Sequence, residues 1–296
     1  MNNVQRIIKE ICYEKGINFK LVSKDWVIIL EKGNKYRYII GYKFPLNNQS
    51  SGKICDDKFA LYEVVKEFKI PVVEHNIVYN DYDIKKLDEY CKQFNYDMVI
   101  KNNCGTCGND MFHVNSLDEI IRKMNLLFAR NKSVSISPYY EIKTEYRIIV
   151  LDDNVELVYG KKKPIVVGNG KNTIYELLCS FNQNYFKNIK DDSLNRVLKG
   201  GEMFEYNWQF NLSKGAMPFL LENALIEDKL KVMAIEIAQV LGVKFASIDI
   251  IELSDGSLML LEVNSGVMMD NLSKSIDNGK NIVKNIYTKV INEMFK

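Results

Sequence analysis

Asp249, Glu262 and Asn264 are the side chains most able to do chemistry in this sequence, because two strands can bring them together. Phe245 to Leu253 and Leu258 to Asn264 are apolar runs flanking Asp255-Gly256, a strong hairpin signal. A two-residue Asp255-Gly256 turn sets Asp249 opposite Glu262, with Asn264 two residues on and on the same face. Directly opposed carboxylates repel, and the flanking Ile248, Ile250, Ile251, Leu260, Leu261 and Val263 imply partial burial. Buried charges must be paired, neutralised or metal-bound. Two carboxylates and an amide oxygen are hard ligands of the kind Mg²⁺ takes when it also holds phosphate. The alternative is a surface ribbon on which an Asp and a Glu align without a role.

Other candidates are weaker alone. Lys101 ends a strand before a loop carrying Gly105 and Gly108, which can lay backbone N–H groups over phosphate. The loop lacks the Gly-Lys-Ser/Thr ending of a P-loop and is no dinucleotide fingerprint; a plain glycine hairpin is the competing reading. Lys58 opens a helix after Asp56-Asp57, where a solvated lysine beside a cap is commonplace. Backbone groups at Pro138-Tyr139-Tyr140 can read an adenine edge, although tyrosines so placed also simply pack. The Lys161-Lys162-Lys163 run reads as a solvated face. Asn207 to Gly215 holds too many amides and hydroxyls for a core element and suits phosphate or substrate. Cys104 and Cys107 have a suggestive spacing for metal or a redox dithiol, but neither His75 nor His113 completes a ligand set.

The elements that must position these groups follow from periodicity. Helices are expected at 3–15, 57–68, 83–94, 117–130 (capped by Ser116), 174–181, 227–241 (closed by Gly242) and 280–295. Hairpins are expected at 27–42 and 147–159, strands at 97–101 and 111–114, and a polar connector at 45–52. This divides the chain into an N-terminal, substrate-side part (1–82), a lid (83–136) and a catalytic part with the metal hairpin (137–296). The 296 residues are 47% hydrophobic and 26% charged, with a net charge of +2, ordinary for a soluble globular protein. That charge gives no argument for nucleic acid or a membrane surface. No run is long enough to span a bilayer, no signal-peptide core is evident, and six cysteines make no disulfide framework. A cytoplasmic location is the default expectation.

The order of these pieces is more specific than any one of them. Asp57-Lys58, then Val99-Ile100-Lys101 with its glycine loop, then Glu145-Tyr146-Arg147, then Lys163-Pro164-Ile165-Val166-Val167-Gly168-Asn169-Gly170 running to Leu178, then Asn211-Leu212-Ser213-Lys214-Gly215, then Asp249 with Glu262 and Asn264, resembles the ATP-grasp carboxylate–amine ligases. The likeness is to the ATP-grasp modules of cyanophycin synthetase and bifunctional glutathione synthetase, with the ribosomal-protein glutamate ligases more distant. It runs from about residue 55 to 290; residues 1–54 lie outside it.

The resemblance implies an α+β ATP-grasp fold, two subdomains clasping ATP, and amide formation through an acyl phosphate on an amino acid or small peptide. It implies that Lys58 and Lys101 contact ATP, that the Gly105/Gly108 loop covers its phosphates, and that Tyr139 and Tyr140 line the adenine hinge. Arg147 and Lys162 would face the reacting groups, and Asn211 and Lys214 would lie near phosphate or substrate. Asp249, Glu262 and Asn264 would hold Mg²⁺, with Mn²⁺ an alternative. Small-molecule carboxylate and amine partners follow, and a homodimer is common among relatives. Pro138 stands where relatives carry Glu, lysines replace the arginine before Pro164, and the lid loop carries two cysteines. A kinase of the same fold and a nucleotide-binding regulator without catalysis are the other readings.

Overall fold

Asn2 opens the first helix: its side chain accepts the Gln5 N–H, and the Gln5 side chain accepts the Asn2 N–H in return. In the computed structural model, which describes residues 1–105, 108 and 110–296, this helix is α1 (Asn3–Glu14). Strands β1 (Asn18–Val22), β2 (Val27–Lys32) and β3 (Lys35–Ile40) follow as an antiparallel meander. The expected polar connector is turn as far as Asn48, but its second half opens α2 (Gln49–Asp56), with Asn48 capping the helix through the Ser51 N–H. Asp57 then caps α3 (Lys58–Glu67).

A smaller unit, over the stretch expected to form a lid and called that below, comprises β4 (Asn76–Tyr79), α4 (Ile84–Lys92), β5 (Met98–Asn102), β6 (Met111–Val114), α5 (Leu117–Phe128) and β7 (Ser133–Pro138). Its sheet has the order β4-β7-β5-β6. Leu87 and Cys91 of α4 and Ile120, Met124 and Leu127 of α5 bury against Met98, Ile100, Val134 and Ile136. The sheet thus starts at Asn76, ahead of the expected boundary at residue 83, because β4 is four residues long and shows no readable alternation.

The larger unit comprises β8 (Ile142–Leu151), β9 (Asn154–Lys162), β10 (Ile165–Val167), α6 (Ile174–Phe181), α7 (Gln183–Phe186), β11 (Met203–Glu205), β12 (Met217–Leu220), α8 (Ala224–Leu241), β13 (Phe245–Leu253), β14 (Leu258–Asn264), α9 (Asp270–Ser275) and α10 (Gly279–Met294). Its antiparallel sheet has the order β12-β9-β8-β13-β14. Leu230, Ala234, Ile237, Ala238 and Leu241, at helical spacing on α8, cover one face with Leu61 and Val65 of α3. Full burial of each large aliphatic side chain contributes about 1.5–3 kcal/mol. On the other face, α1, α10 and the meander cover the end bearing Ile149, Leu151, Tyr159 and Phe245. The rest of that face is open and carries the charges. The mixed helix and sheet and the two sheet-bearing units agree with the expected α+β fold.

The decisive hairpin reaches its register by an unexpected route. The Leu253 N–H bonds to the Ser257 carbonyl, so the tip is a three-residue loop, Ser254 to Gly256, with Gly256 at φ 82°. That shifts pairing by one residue, giving Ile250 opposite Leu260. A bulge at Leu261 restores the register, and Asp249 faces Glu262.

Candidate active site

Strand alternation gathers the charged residues. On the open face, β8 supplies Glu145 and Arg147, β9 supplies Lys161, β13 supplies Asp249, and β14 supplies Glu262 and Asn264. Asp249, only 1% exposed, accepts two bonds from Arg147, Nε to Oδ1 at 2.7 Å and Nη2 to Oδ2 at 2.6 Å. Lys161 Nζ donates to Asp249 Oδ1 at 3.0 Å and also pairs with Glu145. Burial alone would raise the Asp249 pKa; the Arg147 and Lys161 charges and hydrogen bonds outweigh it and hold the carboxyl well below the usual range.

Here the structure corrects one expectation. Lys162 points to the opposite face of the sheet, with its Nζ 4.9 Å from the Phe219 ring centroid, because its parity on β9 is opposite to that of Tyr159 and Lys161. Lys161 occupies the place foreseen for Lys162, and Lys163 returns to the cavity side.

The three expected metal ligands converge. Asn264 Nδ2 lies 3.0 Å from Glu262 Oε1 and 3.5 Å from Asp249 Oδ2. A half-turn of the amide presents its oxygen to the same point. Among the described residues no trio of His, Cys, Asp and Glu gathers for a metal; this set relies on two carboxylates and an amide. Hard oxygens from three side chains, with phosphate oxygens and water completing the shell, fit Mg²⁺.

The cavity between lid and sheet has a volume of about 460 Å³. Lys101, buried on β5, lines it. Burial pushes its ammonium down to about 7, aided by the Lys58 charge and opposed by Glu262 and Glu145. Lys58 lines the cavity as well, but its Nζ donates to the carbonyls of Asn103 (3.2 Å) and Gly105 (2.7 Å). Lys214 donates to the Gly108 carbonyl, across from the other unit. The two lysines thus hold the glycine loop from two sides. Gly105 and Gly108 line the cavity, and Gly108, at φ 63°, leaves no room for a Cβ beside the Asn211 amide. Asn211 lines the cavity and caps the turn at Ser213. Cys104 is exposed, while Cys107 lies outside the described residues.

Tyr139 and Tyr140 line the cavity just past the end of β7. Tyr139 stacks on His113 at 3.8 Å, and its N–H donates to the Asp97 carbonyl. The Trp208 ring lies 6.0 Å from Tyr139. Trp208 and Gln209 were legible only as part of a polar stretch, yet both line the cavity, and Gln209 Oε1 is buried without a partner. Ser265 Oγ is another buried, unpartnered cavity-lining atom. Orphaned polar atoms in a cavity wall are what a ligand would satisfy. His75 is buried beneath, bonded to Ser135 Oγ at 2.9 Å; burial and then the Lys101 and Lys58 charges hold its pKa well below the usual range, so it is neutral.

Known proteins resemble this chain in sequence and fold. A RimK-like ATP-grasp domain family model matches residues 194–290. Cyanophycin synthetase from Trichormus variabilis is 24% identical over 182 residues, 61% of this chain and 20% of that protein. Bifunctional glutathione synthetase from Pasteurella multocida superposes with a TM-score of 0.60 at 18% identity, over 98% of this chain and 44% of that one. D-alanine–D-alanine ligase from Bacillus anthracis gives 0.58 at 16% identity, over 84% of this chain and 69% of that one. The chain spans a fifth of the length of the curated relatives it matches.

Proposed function

We propose that this chain, whose fold is that of the ATP-grasp ligases, is an ATP- and Mg²⁺-dependent carboxylate–amine ligase that works through an acyl phosphate. The observation that carries the reading is that Glu145, Arg147, Lys161, Glu262 and Asn264 line one cavity with Lys101, over a buried Asp249 that Arg147 and Lys161 share. ATP enters between lid and sheet, its base near Tyr139, Tyr140 and Trp208 and its phosphates toward Lys101 and the glycine loop. Asp249, Glu262 and Asn264 would hold Mg²⁺, which neutralises phosphate charge.

A substrate carboxylate attacks the γ-phosphorus; the bond to ADP breaks and an acyl phosphate forms. Arg147 and Lys161, already oriented by Asp249 and Glu145, need no rearrangement to meet the charge that develops on the transferring group. An amine then attacks the acyl carbon, phosphate leaves, and an amide forms. Exclusion of water from the cavity when substrates fill it would protect the intermediate from hydrolysis.

Phosphate release from ATP and Mg²⁺, screened over paired amino acids and short peptides with mass analysis of products, tests the reading. Amine-dependent turnover with an amide product supports it. Turnover independent of any amine, giving a stable phosphorylated hydroxyl, assigns a kinase. ATP binding with no turnover across the panel assigns a regulator.

A further inference from the structure

The cavity continues past the three metal-cradle side chains. From Asn264 the chain runs through Ser265 and Gly266 to Met268, and all of these line the cavity. Gly266 is two residues, at most about 7 Å of chain, from Asn264. The β1–β3 meander and the turn after it close this end: the Val267 N–H donates to the Tyr42 carbonyl, and Lys43 bridges Gly266. The space here, next to the reacting centre, is therefore on the scale of one amino acid.

One wall of it is apolar. Trp26, Ile40 and Tyr42 line the cavity together with Met268 and Leu272. Trp26 is displayed at structural cost. Ser23, Lys24 and Asp25 before it all have positive φ, at 54°, 54° and 66°, a conformation that side-chain-bearing residues avoid. Gly41, at φ 59°, lies under the indole so closely that a Cβ would come within 2.8 Å of it. The indole so held remains 61% exposed.

The same end carries one charge of each sign. Lys43 and Asp56 both line the cavity and pair with each other. Unlike Arg147 and Asp249, both side chains are about half exposed. Such a link contributes only about 0–1 kcal/mol, so incoming groups of opposite charge can replace it at little cost. Asp56 is two residues before Lys58, whose ammonium holds the glycine loop. The Ser265 hydroxyl, buried with no hydrogen-bond partner among the described residues, faces α2, where a Cβ at Gly52 would lie 3.7 Å from it. Gly52 is one helical turn before Asp56. A cation, an anion and an apolar wall within one residue's length match the carboxylate, ammonium and side chain of an apolar α-amino acid. A charged side chain would have to lose its water against Trp26 and Met268.

We propose that the amine substrate is a free α-amino acid with a large apolar side chain. Its carboxylate sits on Lys43, its ammonium on Asp56 toward the glycine loop, and its side chain against Trp26. With the carboxylate tied to Lys43, the nitrogen is the group left to react. This rests on the ligase reading above, and the test separates the two.

The chain has two tryptophans, so in Trp208→Phe emission reports Trp26 alone. Leucine and phenylalanine should shift it; glycine and aspartate should not. Leucinamide, which lacks the carboxylate, and N-acetylleucine, which lacks the ammonium, should each bind about tenfold or more weaker than leucine. Adding Lys43→Met should weaken leucine to the level of leucinamide and leave leucinamide within about twofold; Asp56→Asn should do the same for N-acetylleucine. A pair that only straps α2 to the meander would weaken all three ligands alike or none, and either result overturns the proposal. In the otherwise native chain, Trp26→Ala should raise the leucine KM about tenfold and Trp26→Phe should recover most of the loss, with unchanged melting temperatures confirming that the variants fold. Equal kcat/KM for leucine, glycine and aspartate as amines also overturns it. If calorimetry shows ATP binding with Mg²⁺ but no amino acid moves Trp26, the subsite falls while the nucleotide reading stands. If ATP does not bind, the ligase reading falls, and the leucine response alone decides whether the subsite exists.

Discussion

Arg147 and Asp249 are locked fork to fork, with both carboxylate oxygens 2.6–2.7 Å from guanidinium nitrogens. They are Cα partners on adjacent strands, so the pair is built by the register of β8 and β13. A planar guanidinium matches a carboxylate in a way a lysine cannot. Asp249→Asn leaves Arg147 and Lys161 buried without their shared counter-charge, and breaking a buried pair from one side costs about 3–5 kcal/mol. Urea unfolding at pH 7 should show a loss of that order. A change within measurement error would show that the network contributes nothing to the folded state.

The same carboxylate makes stability acid-sensitive. Its folded-state pKa lies well below the ordinary value because of Arg147 and Lys161. The contribution is therefore whole above the unfolded carboxylate range, near ~4, and declines as pH falls through the folded value. Asp249→Asn should flatten that acid limb relative to the parent in a urea series from pH 6 downward. Parallel limbs would count against the assignment.

Glu262 is the part-exposed carboxylate beside this network. Glu262→Gln preserves shape and removes charge, so the fold should survive while ADP release drops by about 10²–10³. Melting curves and steady-state ADP release measured together decide it. Near-native turnover in the variant would end the metal assignment.

Lys101 predicts a conflict between stability and activity. Its folded pKa is about 7, against roughly 10.4 for an unfolded lysine. Between those values the unfolded chain holds a proton that the folded chain lacks, so stability rises with pH across the window, and below it the whole penalty is present. Lys101→Met should therefore stabilise the nucleotide-free protein most at pH 6 and least near pH 10. It should also weaken ATP binding about ten- to hundredfold by removing a charged phosphate contact. Phosphate should draw a proton onto Lys101, so calorimetry of the parent at pH 8 in buffers of differing ionisation enthalpy should reveal proton uptake on binding ATP. Uptake undiminished in Lys101→Met would locate the proton elsewhere.

Adjacent lysines give a parity test. Lys161→Ala removes a 3%-exposed ammonium shared by Glu145 and Asp249 and should lower kcat by two orders of magnitude or so. Lys162→Ala touches the other face and should change kcat by less than about threefold. Reversed effects would mean that β9 runs with the opposite face inward.

The sequence was most legible where local rules act alone. Thr173 and Glu176 form a reciprocal cap, and the helix runs Ile174–Phe181 as its periodicity requires. Asp57, Ser116 and Gly242 end or begin helices as their types suggest. Short elements were not legible: β1, α2 and β4 have five, eight and four residues, too few for a period to emerge. At the site, Asp249 and Glu262 were paired correctly from an incorrect turn, because the longer tip and the Leu261 bulge offset each other. Lys162 was misread because composition marks a lysine run without its parity. The Glu145–Lys161 and Arg147–Tyr159 pairs of the β8–β9 hairpin carry that parity. Trp26 gave no signal, since its role depends on a left-handed turn that its neighbours do not advertise.

The bulge at Leu261 has a wider consequence for how this ribbon can change. If the strand ran through Leu261 as an ordinary paired residue, with the bulge ironed out, everything after it would turn over: Glu262 and Asn264 would point into the oily layer under α8, and Val263 would meet the arginine and lysine. Insertions or swaps should thus be harmless at Ser254 to Gly256 and ruinous one strand-length away. A side chain with no reactive atom decides whether the acidic cradle exists.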